Sequence, residues 1–252
     1  MTEESAKSSK TRFIFLAGLI VFWYLICRLE IYPPYLLPSP EMVLKTLKRG
    51  FLDGAYFPAL IQSSKRVLLG YFSAVILGSL LGLAISRFRQ LSNSIGESLT
   101  ALQSIPSVAW VPLALLWFGI SEAAVLFIVI LEAFIPCALG VQNAIKNIPP
   151  KLILAGKSLG CESLDLYKRI IIPAILPQVI SSLKLSWAFA WRALIAGELF
   201  INGSGIGQTL ELGRSLSDMA EVIAMMLIIA VIGYVADNVL FKKLEESVNH
   251  YA

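Results

Sequence analysis

The residues best able to do chemistry are ionisable side chains that lie within otherwise apolar stretches of the chain. Charged groups are costly in an apolar environment, so they tend to face a protein interior or a water-filled cavity. Two interpretations stay open: Lys184 and Arg192 supply positive potential to a path for a small anion, or they pair with Glu132 or Glu198 across helices and stabilise packing. The residues concerned are Glu97, Glu132, Lys184, Arg192 and Glu198.

Arg192 is the leading path candidate among them. It lies six residues before Glu198, roughly 240° around a helix of 3.6 residues per turn, so the two do not pair simply within one helix. Its neighbour Trp191 could line the same path, although tryptophans more often anchor helices at an interface or pack in a bundle. The candidate path residues are therefore Glu132, Trp191, Arg192 and Glu198.

Catalytic chemistry finds little support in the sequence. The single histidine is His250, two residues from the end, and the three cysteines lack metal-ligand spacing. Gly156-Lys157-Ser158 resembles part of a phosphate-binding loop, but the glycine required five residues earlier is replaced by Lys151. We therefore expect no metal site, no cofactor and no ATP bound by this chain, and we disfavour an integral-membrane enzyme.

The composition places the chain in a membrane. Of its 252 residues, 57% are hydrophobic and 15% are charged, and the mean hydropathy is +0.74. Soluble domains carry roughly 45–50% apolar and about 25% charged residues. The net charge of +4 is spread along the chain, so nucleic acid is not an expected partner. The predicted fold class is an all-α, polytopic membrane protein.

Six apolar segments can serve as spans, each of which needs about 20 residues. The second contains Gly78 and Gly82, whose spacing allows close helix approach. The third contains Pro106 and Pro112, and because proline removes a backbone donor we expect that helix to be kinked or broken. The spans are about Phe13–Cys27, Val67–Ser86, Ile95–Leu116, Ala123–Val141, Leu176–Phe200 and Val222–Leu240.

These spans divide the chain into tails, a first helix, an external segment and a core. A signal peptide is the alternative for the first helix, but no small-x-small cleavage site follows it, which favours an uncleaved span. The predicted parts are a cytoplasmic tail at 1–12, the first helix at 13–29, an external segment at 30–66, a core at 67–241 with a cytoplasmic loop at 142–173, and a cytoplasmic tail at 242–252.

The basic residues indicate the orientation, because cytoplasmic loops carry an excess of Lys and Arg. With the N-terminus inside, twelve basic residues fall on the cytoplasmic side and seven on the other, while Lys184 and Arg192 lie within a span. Three of the seven, Arg28, Lys65 and Arg66, are at span ends, where long side chains can snorkel towards water. Both termini are therefore expected to be cytoplasmic.

The polar loop between the fourth and fifth spans is the most informative segment. Its apolar residues recur at helical spacing on either side of Gly160, which predicts two short amphipathic helices joined at that glycine. We call residues 151–173 the elbow, and expect Pro173 and Pro177 to close it before the membrane. Such an elbow either docks onto a partner or packs on its own bundle, and periodicity leaves both open.

The elbow resembles the loop signature of permease subunits of bacterial ABC importers. In that signature Glu-Ala-Ala is followed, four residues after the second Ala, by Gly and later by Ile-x-Leu-Pro. Aligned on Gly160, this chain departs at two positions, where Leu154 replaces the Glu and Gly156 replaces the second Ala. The resemblance implies an ATPase-coupling role for Leu154, Ala155, Gly156, Leu159, Gly160, Ile170, Ile172 and Pro173.

Four further blocks resemble the nitrate/sulfonate/taurine/bicarbonate branch of the same binding-protein-dependent transport inner-membrane family. Together with the elbow they extend the resemblance over residues 36–240. The blocks are Pro38-Ser-Pro40, Arg66–Gly70, Ile105–Gly119 and Gly197-Glu-Leu199.

The resemblance implies a transport subunit rather than an enzyme, with the fold of a type I ABC importer permease in the bacterial inner membrane. Two permease copies, expected to be identical, would form the path, and each elbow would sit on a cytoplasmic ATPase dimer that binds the ATP. An external solute-binding protein would deliver a small anion such as nitrate, a sulfonate, taurine or bicarbonate. Rocking of rigid helical units would give alternating access.

Other functions stay open beside this one. A permease of the same family could carry a neutral or cationic heterocycle such as a thiamine precursor. A single-chain secondary transporter is disfavoured because no repeat relates the two halves. The glycines at 203–207 suggest a dinucleotide loop only superficially, since they follow an apolar helix, and we expect a turn at the outer surface.

Overall fold

The computed structural model describes residues 3–161 and 163–249, with the side chains of 3–13, 16, 89–93, 163–164 and 249 left out of the description. The predictions for His250 and for the side chains of the basic tail therefore lie outside the described residues. Helices account for most of the described ranges, which contain no strand. The all-α prediction is confirmed.

The described helices follow one another with short connections. Two π-helical turns join helices that follow each other directly. Tyr167–Ile171 leads from Ser163–Leu166 into Ile172–Glu198, and Ala236–Phe241 leads from Met219–Val235 into Lys242–Asn249. The helices are α1 (Glu3–Arg28), α2 (Pro40–Leu52), α3 (Tyr56–Arg87), α4 (Arg89–Gln103), α5 (Ser107–Phe118), α6 (Glu122–Lys146), α7 (Pro150–Ser158), α8 (Ser163–Leu166), α9 (Ile172–Glu198), α10 (Ile206–Ser215), α11 (Met219–Val235) and α12 (Lys242–Asn249).

Five of the six predicted spans correspond to helices that are long and apolar enough to cross a membrane. A bent pair, Ser94–Gln103 with Ser107–Phe118, accounts for one of them. The described apolar part of α1, Ala17–Arg28, is shorter than a span, so the first span stays a prediction. The helices that are long and apolar enough to cross a membrane singly are Tyr56–Arg87, Glu122–Lys146, Tyr167–Glu198 and Met219–Val248.

The third span is broken, as its prolines predicted. Its two halves meet at 95°, and α5 begins directly after Pro106. A proline ring disfavours the helical conformation of the residue before it, so α4 cannot run on through Ile105. Pro112 lies inside α5, and the break therefore belongs to the first proline alone.

The centre of the bundle is α6, which packs between α3 and α9. Glycines allow α3 to approach closely: a Cβ at Gly78 would lie 2.8 Å from the Phe134 carbonyl oxygen, and one at Gly82 would lie 2.6 Å from that of Ala138. The close approach predicted for Gly78 and Gly82 is confirmed. The core around this contact includes Val125, Ile128, Val129, Leu194 and Met225.

One prediction about the elbow is wrong. Pro173 and Pro177 do not close it, because the helix that contains Tyr167 continues through both prolines to Glu198. The π-helical turn ends at Ile171, two residues before Pro173, and this wider turn accommodates a residue that lacks an N–H and whose ring would clash in a regular helix. The second arm of the elbow is thus continuous with a spanning helix.

Candidate functional site

The bend of the elbow is built by a helix C-cap at Gly160. The glycine has a φ of +80°, which residues with a Cβ rarely adopt. Its N–H donates to the Lys157 carbonyl at 3.0 Å, and the Cys161 N–H donates to the Gly156 carbonyl at 3.0 Å. This pair of bonds is the Schellman motif. The predicted join at Gly160 is therefore present and has a local cause.

Gly156 lets the two arms of the elbow pack together. It is buried, and a Cβ there would overlap the side chains of Ile170 and Leu166. Leu166 is itself buried, so α7 lies directly on the helical turn that leads into α9. The glycine that replaces the alanine of the family signature therefore matches the packing of this chain.

Other apolar side chains of the elbow are left uncovered by the rest of the described chain. Leu159 is 83% exposed and Leu154 is 63% exposed, and Leu152 and Ile172 are also exposed. Ala155 is exposed beside them, and Pro173 is half-buried. The eight predicted coupling residues thus separate into a packed pair, Gly156 and Ile170, and an apolar surface that its own bundle leaves open.

A buried polar site lies where the first third of α3 meets the end of α9. Arg66 Nη1 donates to Glu198 Oε1 at 2.8 Å, and Ser63 Oγ donates to the same oxygen at 2.7 Å. Arg66 Nη2 donates to Glu122 Oε1 of α6 at 2.9 Å. Arg66 is 4% exposed and Glu198 is 0% exposed. Removing one partner of a buried pair of this kind costs about 3–5 kcal/mol, because it leaves a charge uncompensated.

The same residues hold the turn before α10. The Ile206 N–H donates to Ser63 Oγ at 2.9 Å, and the Gly207 N–H donates to Glu198 Oε2 at 2.9 Å. Arg66 Nη1 also donates to the Ser204 carbonyl at 2.8 Å. Side chains of α3 and α9 therefore satisfy N–H groups that the first turn of α10 leaves open. We call Ser63, Arg66, Glu122, Glu198 and residues 204–207, which form the turn into α10 and its first two residues, the outer cluster, after the side of the membrane on which the sequence predicts the turn.

Sequence reasoning missed the outer cluster in two ways. Arg66 does not snorkel towards water, since it is buried and ion-paired. Glu198 does pair across helices, but its partner is Arg66 rather than Arg192 or Lys184. A signal was nevertheless present, because Arg66–Gly70 and Gly197–Leu199 are two of the blocks that carry the family resemblance.

Lys184 also has partners other than those expected. Its Nζ lies 3.1 Å from Asp237 Oδ1 and 3.9 Å from Glu245 Oε2. The predicted pairing with Glu132 or Glu198 is therefore wrong for this lysine. Asp237 lies in the π-helical turn after α11, and the continuation of that helix into α12 places both acids beside α9.

Arg192 is exposed on a spanning helix, six residues before that helix ends at Glu198. Its guanidinium stacks 4.7 Å from the centre of the Phe189 ring, and its Nε donates to the Ala188 carbonyl at 3.0 Å. It lies near enough to Glu132 of α6 to interact with it electrostatically. Among the described residues, however, it forms no ion pair.

The other path candidates are buried in this single chain. Glu132 and Trp191 are each 7% exposed, and Glu198 belongs to the outer cluster. The remaining intramembrane acid, Glu97, lines an open polar cavity of about 340 Å³ together with Thr100, Asn143 and Lys146. Within the described part of the chain, no group of acids, cysteines or histidines is arranged to hold a metal ion.

An exposed ion pair lies on α10, outside the spanning helices. Arg214 donates through both Nε and Nη2 to the Glu211 carboxylate, at 2.8 Å from Nε. These bonds hold the pKa of Glu211 below its ordinary value and raise the pKa of Arg214. The pair is open to solvent, so it contributes little to stability.

Comparison with known proteins gives a family match over most of the core. Residues 74–242 match the family model for the binding-protein-dependent transport system inner membrane component. A Methanocaldococcus jannaschii protein assigned as an ABC transporter permease is 33% identical over 87% of this chain and 84% of its own length. The taurine transport system permease protein TauC of Escherichia coli is 27% identical over 88% of this chain and 82% of its own.

Two further comparisons agree with these. A Bacillus subtilis protein assigned as the aliphatic sulfonates transport permease SsuC is 30% identical over 88% of this chain and 80% of its own. Among solved structures, the inward-facing MetNI methionine ABC transporter matches with a TM-score of 0.59 and 17% identity, over 75% of this chain and 96% of that chain. At this identity the structural match bears on the fold alone.

Proposed function

Because the chain belongs to the binding-protein-dependent transport system inner membrane component family, we propose that its elbow couples solute movement to ATP hydrolysis on a partner subunit. The chain is a permease subunit of an ABC importer, a transport subunit rather than an enzyme, with a type I importer fold. What the proposal adds is the surface through which ATP energy reaches the bundle, and the kind of solute that crosses.

The uncovered leucines of the elbow carry the proposal. Leu154 and Leu159 are exposed on a surface that is predicted to face the cytoplasm, where no lipid can cover them. An apolar helix face presented in this way suits a groove on another protein. Because the second arm of the elbow continues into α9, force applied there would be delivered directly to a spanning helix. The ATP itself would be bound by the partner.

The predicted solute is a small anion. Arg192 is exposed on a spanning helix, and a charge is costly against hydrocarbon, so this face of α9 should line a water-filled path or meet a second permease copy. An unpaired guanidinium on a path attracts anions. The relatives named for taurine and aliphatic sulfonates carry solutes with a sulfonate group, which favours an anion over a neutral or cationic heterocycle. Direct calorimetric binding of taurine, an alkanesulfonate and nitrate to the cognate solute-binding protein tests this choice.

The remaining partners follow from the same assignment. We expect two identical permease copies around one path, an ATPase dimer below and a solute-binding protein outside. Both termini would then lie in the cytoplasm of a bacterial cell, with the elbow on the same side. This arrangement is supported by the distribution of basic residues along the sequence.

The central experiment replaces the glycine at the bend. In Gly160→Asp the φ of +80° is strained and a charge is added to the coupling surface. We expect the protein to remain in the membrane while retention of the ATPase subunit in mild detergent falls about tenfold, as for loss of a central interface residue. Retention is measured by quantitative immunoblotting of the purified complex.

Gly54→Asp is the matched control. Gly54 has a φ of +73°, and like Gly160 it has open space where a Cβ would be added, but it lies in the turn between α2 and α3. The same backbone strain and the same charge are therefore introduced away from the elbow. Equal ATPase retention in the two variants would refute the coupling role of the elbow.

A further inference from the structure

The outer cluster joins four elements at one end of the bundle. Ser63 and Arg66 come from α3, Glu122 from the start of α6 and Glu198 from the end of α9. The fourth element is the turn before α10, which makes three of the hydrogen bonds. α10 can therefore separate from α3 and α9 only by breaking several charge-assisted bonds together.

Close packing against Glu198 also prevents the turn into α10 from shifting to another position. A Cβ at Gly205 would lie 2.7 Å from the Glu198 carboxylate, and one at Gly207 would lie 2.7 Å from the Glu198 Cβ. The turn lies directly against the acid, with no space for slippage between them. Replacing a buried ion pair by apolar residues of similar volume is often neutral or stabilising, so we infer that the charges here add a single defined geometry rather than stability.

The elbow and the outer cluster lie at opposite ends of one long helix. The helix from Tyr167 to Glu198 begins in the second arm of the elbow and ends at the acid of the cluster. The centre of the bundle, α6, packs along both α3 and α9 and brings Glu122 to the same cluster. A displacement of the elbow therefore has a continuous route to α10.

We propose that Arg66 and Glu198 are positioning residues for transport, which make α3, α6, α9 and α10 move as one body at the end opposite the elbow. Opening and closing of the path at that end then takes place at other boundaries, such as those with α5 or with a second copy. The inference rests on the proposed function, because it needs a drive that enters at the elbow.

Spin labels test the rigid body without knowledge of the solute. Labels replace Leu212 of α10 and Phe57 of α3, both of which are exposed and outside the cluster. The doubly labelled permease is assembled with an excess of unlabelled permease, so that a complex carries labels on one copy at most. In the complete permease–ATPase complex we then expect one narrow distance distribution that is the same without nucleotide and in the vanadate-trapped state. In Glu198→Gln we expect that distribution to broaden. A shift of the wild-type distance on trapping would overturn the proposal.

A second readout separates positioning from a loss of structure. The ratio of ATP hydrolysis with added solute-binding protein to hydrolysis without it measures communication between the two sides. We expect Glu198→Gln to lower this ratio about tenfold, a typical coupling between distant sites, and Arg66→Lys, which keeps the charge, to retain most of it. A general defect would lower both rates and leave the ratio unchanged, and an unchanged ratio would overturn the positioning role.

Failure of this inference is distinguishable from failure of the proposed function. If the chain does not couple to an ATPase, the subunit is missing from the wild-type complex before any ratio is measured. If Glu198→Gln does not assemble, the wild-type distance measurement and the Arg66→Lys ratio decide the proposal. In that case a moving wild-type distance, or an Arg66→Lys ratio as low as that of Arg66→Gln, refutes it.

Discussion

At the scale of single residues, burial and ion pairing separate Arg192 from three of the other four charges in the apolar segments. Glu198 and Lys184 are ion-paired, and Glu132 is almost wholly buried. Arg192 differs because its guanidinium is open on the surface of the single chain, where it stacks on Phe189 and donates to its own helix, and it forms no ion pair with the described residues. It is therefore the cation of these apolar segments whose charge can act on something outside the described chain.

Neutralising this charge should impair transport without disassembly. We expect Arg192→Gln to lower solute uptake into proteoliposomes about tenfold, because the local positive potential that concentrates an anion is lost. Arg214→Gln is the control, since it also removes one positive charge but from an exposed ion pair of low energetic value, and uptake should stay within about twofold. Both are measured with the solute that the cognate binding protein binds among taurine, an alkanesulfonate and nitrate. Equal uptake in Arg192→Gln and wild type would refute the proposal that the charge of Arg192 attracts an anionic solute.

At the scale of elements, small residues decide how the helices meet. Gly78 and Gly82 bring α3 onto α6, and Gly156 brings α7 onto the turn that leads into α9. Local sequence predicted the bend at Gly160 and the break at Pro106, because each depends on the backbone preference of one residue. It did not predict that α9 would continue through Pro173, since that depends on a π-helical turn next to the proline.

Filling the contact between α3 and α6 should destabilise the bundle. In Gly78→Leu the new side chain would meet the Phe134 carbonyl and Cys137, and overpacking of this kind costs about 1–3 kcal/mol. Gly18→Leu on α1 is the control, because nothing lies within 4 Å of a Cβ there. Thermal unfolding in detergent compares the two, and a Tm of Gly78→Leu as high as that of Gly18→Leu would contradict the close packing.

At the scale of the whole molecule, the elbow and the outer cluster lie at opposite ends of the bundle. The helix from Tyr167 to Glu198 has the elbow at one end and the outer cluster at the other. The distribution of basic residues favours the elbow as the cytoplasmic end. This polarity is required of an importer that is powered from inside and supplied from outside.

Cysteine labelling tests the orientation directly. With the three native cysteines replaced, single cysteines are introduced at Ser158 in the elbow and at Ser215 at the end of α10, both exposed. In intact cells whose outer membrane has been made permeable, we expect an impermeant maleimide to label the cysteine at 215 and to leave that at 158 unlabelled until the inner membrane is opened. The reverse pattern would place the elbow outside and exclude coupling to a cytoplasmic ATPase.

The sequence by itself determined the membrane class, most of the spans and the bend of the elbow. These depend on hydropathy summed over a segment, or on what one glycine or proline does to its own backbone. Only the tertiary structure decided which charges meet. Arg66 and Glu198 are 132 residues apart, and an ion pair depends on distance in space, which the packing of α3 and α9 against α6 sets. For the same reason the sequence could name Arg192 as a candidate, while the fold left it exposed and paired Lys184 and Arg66 with acids.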